Sequence, residues 1–338
     1  MSCQLSHNIP VVDISSFTDP SSFSEDDRLS TAGAWDEAMC EFGFAFVSNH
    51  GIPQSSIEQV RSGALEFFSK GISEKMRFNR GEYGGEEGGY TAVGTESVGR
   101  TLDSDDGHNN GDDQENPPDL VENYVIRAPQ SPSSLTSAHP PELSSSCHDY
   151  YDRMVSLMHA MHEMSAIGLG LPSNYFRDYF EPPECALRLA HYPPLPESVV
   201  DGQLRYGAHT DYQCFTLLLQ DDRDEGAANS GGLEVFLPNG QGWTPVVPKP
   251  GCFIVNIGDL WNVWTNGRWH STLHRVANPP RGSPAAKRDR LSVPFFTGPR
   301  SDALITPLHT CVNEGNPLKF QPISAGDHLR NKLSISNL

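Results

Sequence analysis

A mainly β fold with flanking helices, closing as a sandwich or barrel, is what this sequence predicts. Three observations carry the expectation. Short strand-like runs follow one another late in the chain: FTLLLQ at 215–220, GLEVFL at 232–237, WTPVVP at 243–248, CFIVNI at 252–257, TLHRVAN at 272–278 and LSVPFF at 291–296. Gly, Pro and Asn punctuate them, the pattern of an all-β core. Segments of helical character precede them, and the sequence shows no dinucleotide-binding glycine motif, phosphate-binding loop or internal repeat.

Taken in chain order, IPVVDIS at 9–15 reads as a strand, with β-branched residues after a proline. DRLSTAGAWDEAMCEFG at 27–43 reads as a helix ended by Gly43, and FAFVSNHGIP at 44–53 as a strand and turn. Ser55 with Glu58 offers a capping box for a helix over 55–71. From 81 to 146 the stretches GEYGGEEGGY and SDDGHNNGDDQENPP predict loops. A surface insertion and a flap over a site are both open for them. Residues 147–172 predict a helix in which Met154, Met158, Met161 and Met164 pack, while His159 and His162 lie at the surface or a cap. The tail, 315–338, reads as an extended segment and a short helix. Two regions in one integrated fold are expected: an α/β region with a polar insertion at 1–146, and a helix, β-rich core and tail at 147–338.

Composition narrows the function. A chain of 338 residues with 37% apolar content has room for a sizeable core and long polar insertions. A formal net charge of −19 argues against a nucleic-acid partner but leaves room for a locally basic pocket. The seven cysteines are scattered without a CxxC spacing, which favours reduced thiols in an intracellular compartment. The N-terminus lacks a basic segment followed by an apolar run, and no stretch approaches the roughly 18 apolar residues of a membrane helix. A cytoplasmic monomer that binds a small molecule, with no membrane partner, is expected.

The stretch GAHTDYQCFTLLLQ places His209 and Asp211 two residues apart, ahead of a strand-like run. In a strand such residues share a face. One imidazole and one carboxylate are two-thirds of the facial triad that holds non-haem Fe(II) with open positions for substrates. His270, His274 and His309 could supply the third ligand. His274 is favoured, because STLHRV is strand-like and a rigid strand holds a ligand better than a loop.

Several ordered motifs, HTDYQCFTLLLQD, GLEVF, W-TPV-P-PG-F-VNIGD, STLHRV and R-LSVPFF, resemble the Fe(II)/2-oxoglutarate-dependent dioxygenases of the isopenicillin N synthase-like superfamily. The amino-terminal IPVVDIS and GFAFVSNHGI and the tail PLHTCVNEGNPLKFQPISAGDHL extend the resemblance over roughly 9–333, apart from 81–146. It implies a double-stranded β-helix, or jelly roll. It also implies Fe(II) on His209, Asp211 and His274, with 2-oxoglutarate and O2 as co-substrates. Arg290 and Ser292 match the family's Arg-x-Ser pair, which holds the distal carboxylate of 2-oxoglutarate. The planar guanidinium suits that task. Tyr192 matches a co-substrate tyrosine, whereas Ala190 stands where many relatives carry Asn.

The resemblance implies oxidative decarboxylation of 2-oxoglutarate to succinate and attack on an unactivated C–H bond. Hydroxylation, desaturation and ring closure are the possible outcomes. Tyr90, Tyr124, Phe215, Trp264 and Phe296 are candidate walls of the substrate pocket. Arg100 and Arg205 are candidates for holding a substrate carboxylate. The finest expectation is an amino-acid-derived acid of specialised metabolism, such as an N-prenylated glutamate closed to a kainoid ring. Two alternatives remain: an Fe(II) oxidase of this fold that needs no 2-oxoglutarate, and a small-molecule sensor without turnover.

Overall fold

The structure, a computed structural model, describes residues 9–79, 88–105, 117–127, 139–221, 223, 232–237 and 242–336. The amino-terminal elements are β1 (Val11–Asp13), α1 (Ser15–Thr18), α2 (Glu25–Glu41), β2 (Phe44–Ser48), α3 (Gln54–Phe68), α4 (Ile72–Lys75), β3 (Tyr90–Thr91), α5 (Arg100–Asp105) and β4 (Glu122–Arg127). There follow α6 (Pro141–Gly168), β5 (Ala186–Tyr192), β6 (Tyr206–His209), β7 (Phe215–Leu219), β8 (Leu233–Leu237), β9 (Gly242–Pro245) and β10 (Cys252–Ile257). The chain ends with α7 (Asp259–Trp264), β11 (His274–Val276), β12 (Arg290–Phe296), β13 (Leu304–Ile305), β14 (Ile323–Ser324) and α8 (Ala325–Ser336).

Among the described residues, an eight-stranded sheet runs β1-β2-β10-β7-β12-β5-β4-β3 and a four-stranded sheet runs β6-β11-β8-β9. Strand alternation gives the large sheet two chemically different faces. One face presents Leu187, Leu189, Phe215, Leu217, Val255, Val293 and Phe295 to Trp35 and Met39 of α2, Val60 and Phe67 of α3, and Met154, Met158 and Met161 of α6. Each such side chain, fully buried, contributes about 1.5–3 kcal/mol relative to exposure. The opposite face carries Arg188, Ala190, Tyr192, Thr216, Asn256, Arg290 and Ser292 toward a cavity closed by the small sheet. One sheet therefore separates a dry helix-packed core from a polar interior.

Several expectations are corrected. No capping box forms at Ser55: α3 starts at Gln54 after Pro53, and Ser56 bonds Asp149 instead. The chain at Pro53 is extended, and entry into the helix one residue early leaves Ser55 inside it. A true capping box sits at Ser24 and Asp27, ahead of α2. The 81–146 region is not all loop, because it contributes β3, α5, β4 and the first turns of α6. Much of its Gly- and Asp-rich sequence, and with it the flap expectation, lies outside the described residues. The methionines of α6 do pack in the core, but so does His162, which is 4% exposed between the rings of Phe180, Phe215 and Trp261. Strands β5 and β6, missing from the sequence reading of strand-like runs, frame the cavity.

Gly43 ends α2 in the left-handed region at φ +65°, and a Cβ there would fall 2.0 Å from the carbonyl oxygen of His270. The Gly43→Ala protein is predicted to lose at least about 1–2 kcal/mol from backbone conformation alone. A lowered urea midpoint would show it, and an unchanged midpoint would contradict it.

Candidate metal centre

His209 ends β6 and His274 begins β11, and antiparallel pairing sets the two residues opposite one another. Their ring centroids lie 4.2 Å apart. Asp211 follows β6 in the connection to β7, so the expectation that the His-x-Asp pair shares one strand face is corrected. The turn nevertheless returns its carboxylate to the histidines. Asp211 Oδ1 is 3.6 Å from His209 Nε2 and 3.7 Å from His274 Nε2. One ligand atom from each residue falls within 4.8 Å of the others, and all three residues are buried. The other two histidine candidates, His270 and His309, do not join this group.

The surrounding hydrogen bonds orient all three donors. His209 Nδ1 meets the carbonyl of Gly207 at 2.9 Å, and His274 Nδ1 meets that of Thr272 at 3.0 Å. A carbonyl only accepts, so each Nδ1 carries the proton and each Nε2 lone pair faces the shared centre. Asp211 Oδ2 accepts from Thr216 Oγ1 on β7 and from Asn256 Nδ2 on β10, both at 2.5 Å. That leaves Oδ1 for a cation. Phe44 packs edge-on against His274 at 5.5 Å, and Arg275 stacks over Trp243 while bonding Glu234, which fixes β11.

The electrostatics suit a divalent metal. Burial pushes the Asp211 carboxyl up, but His274, then His209 and Thr216, outweigh it and hold the group well below the usual carboxylate range. Burial and the neighbouring His209 push His274 down to about 4, so its imidazole is neutral at neutral pH, the form that ligates metal. Two imidazole nitrogens and one carboxylate oxygen on one side of a centre are the donor set suited to non-haem Fe(II).

Beside this group the two sheets enclose a lobe of about 60 Å3. Arg290 and Ser292 on β12 face into it with Tyr192 of β5, whose register partner is Arg290. The Arg290 guanidinium sits 5.1 Å from the Tyr192 ring, and Ser292 Oγ is 3.5 Å from the Tyr192 hydroxyl. Arg290 is buried, and its Nη1 has no partner among the described residues, which makes it a ready donor for a carboxylate. Ala190 lines the same lobe.

A second lobe of about 130 Å3 opens on the other side and shares His209, Asp211, Arg188, Tyr206 and Phe296 with the first. Phe296, one of the candidate wall residues, lines both lobes. Tyr90, Tyr124, Phe215 and Trp264 line neither lobe. All four are fully buried in the helix-packed core, Tyr124 and Phe215 by strand parity and Trp264 against Phe176, Tyr179 and Trp261. Tyr90 bonds Glu122 at 2.5 Å. Neither Arg100 nor Arg205 lines either lobe. Arg205 is 1% exposed and bonds the carbonyl of Arg288; burial and the nearby Arg290 push it down to about 10. The lobe's own residues Glu96, Asn123, Arg127 and Arg188 escaped the sequence reading. Arg188 alone had a signal: it shares strand parity with Tyr192.

Comparison with known proteins agrees with this geometry. Residues 183–299 match the 2OG-Fe(II) oxygenase superfamily, and residues 9–131 match the non-haem dioxygenase in morphine synthesis N-terminal family. The chain is 32% identical over 334 residues to homoarginine-6-hydroxylase 2-ODD-233 of Oryza sativa subsp. japonica, with 96% of each covered. It belongs to the 2OG-Fe(II) oxygenase superfamily. This oxygenase also matches the structure of Neurospora crassa T7H with alpha-KG and thymine (TM-score 0.78, 28% identity, 98% of each chain). The rice dioxygenase for auxin oxidation matches with a TM-score of 0.72 at 25% identity, over 97% and 95% of the two chains. The two sheets form the jelly roll of such enzymes, which use Fe(II) as the metal with 2-oxoglutarate and O2 as co-substrates. No described helix of the oxygenase is long and apolar enough to cross a membrane.

Removing a hydrogen bond behind the carboxylate tests this arrangement. Asn256→Ala and Thr216→Val are each predicted to weaken Fe(II) affinity by about 10–100-fold. Anaerobic Fe(II) titration with circular dichroism as a folding control reads the effect. Wild-type affinity in both variants would contradict the orienting role of these residues.

Proposed function

We propose that this oxygenase oxidises a C–H bond of a small organic acid, with Fe(II) on His209, Asp211 and His274 and 2-oxoglutarate on Arg290, Ser292 and Tyr192. The observation that carries the reading is the common focus of the two lobes: both reach His209 and Asp211, the smaller also takes in His274, and only the smaller is lined by Arg290 and Ser292. When bound, the iron and 2-oxoglutarate supply O2 activation, coupled to loss of CO2 and formation of succinate.

The residues do the rest by placement. Arg290 offers parallel N–H donors to the distal carboxylate, and Ser292, two residues on, adds a hydroxyl on the same strand face. The apolar atoms of Leu218, Val276 and Phe296 exclude water from the reacting centre. Positioning beside the metal selects among hydroxylation, desaturation and ring closure, since a misplacement of about 1 Å can cost on the order of 100-fold in rate.

An amino-acid-derived acid of specialised metabolism is the substrate class we favour, with the ring closure of an N-prenylated glutamate as its most specific form. The similarity to a homoarginine hydroxylase supports the amino-acid character.

Two measurements test the reading. His209→Ala is predicted to abolish succinate release and tight Fe(II) binding together. Arg290→Ala is predicted to keep Fe(II) binding while weakening 2-oxoglutarate by the roughly 1.5–3 kcal/mol of a charged hydrogen bond. Succinate release that survives in His209→Ala, or unchanged 2-oxoglutarate affinity in Arg290→Ala, would overturn the assignment.

A further inference from the structure

The larger lobe contains an unbalanced charge. Residues Asn123, Val125 and Arg127 of β4 alternate toward it, opposite Arg188 of β5. The charge of Arg188 is already paired: its Nη2 meets Glu96 at 2.7 Å and its Nη1 donates to the Tyr206 hydroxyl at 2.9 Å. Glu96 also accepts from Asn123 Nδ2 at 3.0 Å. These groups neutralise one another. Arg127 does not belong to that set, and among the described residues it has no hydrogen bond or ion pair. Burial pushes its pKa down, with Tyr151 and Glu184 the nearest opposing influences, and Glu184 is itself committed to Ser301. Arg127 is half-buried, so its guanidinium meets solvent, and an anionic ligand in the lobe would give it a fixed partner.

Other polar atoms of residues lining the lobe also lack partners among the described residues. Asn123 Oδ1 is a buried acceptor without a donor, and Arg188 Nε is a buried donor without an acceptor. The lobe thus offers a free cation at one end and an open acceptor and donor nearer the middle. Asn123 and Arg127 are four residues apart on one strand face, a span of about 13 Å between their backbones.

Register separates Arg127 from the co-substrate cation. On β5, Tyr192 pairs with Arg290, whereas Ala186, at the other end of the same strand, pairs with Arg127. The two arginines therefore lie at opposite ends of the joined lobes, with the metal group between them. A molecule whose anion reached Arg127 would extend past the metal group toward the co-substrate.

We propose that Arg127 is a specificity-determining residue that binds a carboxylate of the organic substrate, while Asn123 Oδ1 accepts from an amino or hydroxyl group of the same molecule. The inference rests on the oxygenase reading above and deepens it to a substrate class, an amino- or hydroxy-substituted carboxylic acid. The planar fork of Arg127 suits a carboxylate, and Phe296 provides an apolar wall for the carbon skeleton. The lobe's volume of about 130 Å3 limits that skeleton to a small molecule.

The test uses full-length protein loaded anaerobically with Fe(II) and 2-oxoglutarate. Free L-amino acids, including L-homoarginine and N-prenyl-L-glutamate, are screened as acids and as their carboxamides. Thermal shift reads binding, and succinate release after O2 admission reads turnover. The expected result is that acids bind and stimulate while their carboxamides do not. Arg127→Gln should raise the KM of a stimulating acid roughly 10-fold to 100-fold, the loss of a charged hydrogen bond. The corresponding kcat should fall much less, and Arg127→Lys should recover part of the loss. Equal responses to acids and carboxamides, an unchanged KM in Arg127→Gln, or a screen in which no acid binds would each overturn the proposal. Wild-type titrations with Fe(II) and 2-oxoglutarate distinguish the failures. A protein that binds neither lacks the oxygenase site, and one that binds both yet prefers neutral compounds keeps that site while refuting the role of Arg127.

Discussion

The Asp211 carboxylate is the constraint on which the rest of the site depends. One oxygen is tied to Thr216 and Asn256 on the large sheet, and the other faces His209 and His274 on the small sheet. A single buried charge therefore links the two layers at the point where their lobes meet. Its burial is tolerable because the carboxylate accepts two hydrogen bonds and faces two imidazoles. A bound divalent ion would add a stronger partner, so metal affinity and fold stability are linked through this one group.

A second consequence concerns charge. The chain carries a formal charge of −19, yet its interior holds Arg127, Arg188, Arg205 and Arg290 around or behind the lobes. The acidic surface favours solubility, and these arginines create local positive potential where anionic reactants would sit. Arg188 is matched by Glu96, and Arg290 keeps one Nη free. The cavity is thus differentiated by which cations are already neutralised, a property that counting basic residues does not reveal.

Sequence reached the metal group because its members carry strong local signals. His209 and Asp211 sit ahead of a strand-like run, and His274 lies within one. The Arg290–Ser292 pair was legible for the same reason, since a two-residue spacing at a strand places both on one face. The aromatic walls were not. Phe215 and Tyr124 look like pocket residues by type, but each lies one position off the cavity-facing residues Thr216 and Asn123. Identity alone does not fix strand parity; register against neighbours does. Glu96, Asn123 and Arg127 were hidden by the Gly- and Asp-rich stretches around them, which made the short strand Glu122–Arg127 read as loop. Long-range pairing of that strand with β5 overrides its polar surroundings.

The central claim is that three side chains distant in sequence converge on one iron beside a co-substrate held by Arg290. A crystal structure of the protein loaded anaerobically with Fe(II) and 2-oxoglutarate tests it most directly. The account predicts iron bonded to Nε2 of His209, Nε2 of His274 and Oδ1 of Asp211, with the distal carboxylate of 2-oxoglutarate on Arg290. Iron bound without His274, or 2-oxoglutarate seated away from Arg290, would contradict it.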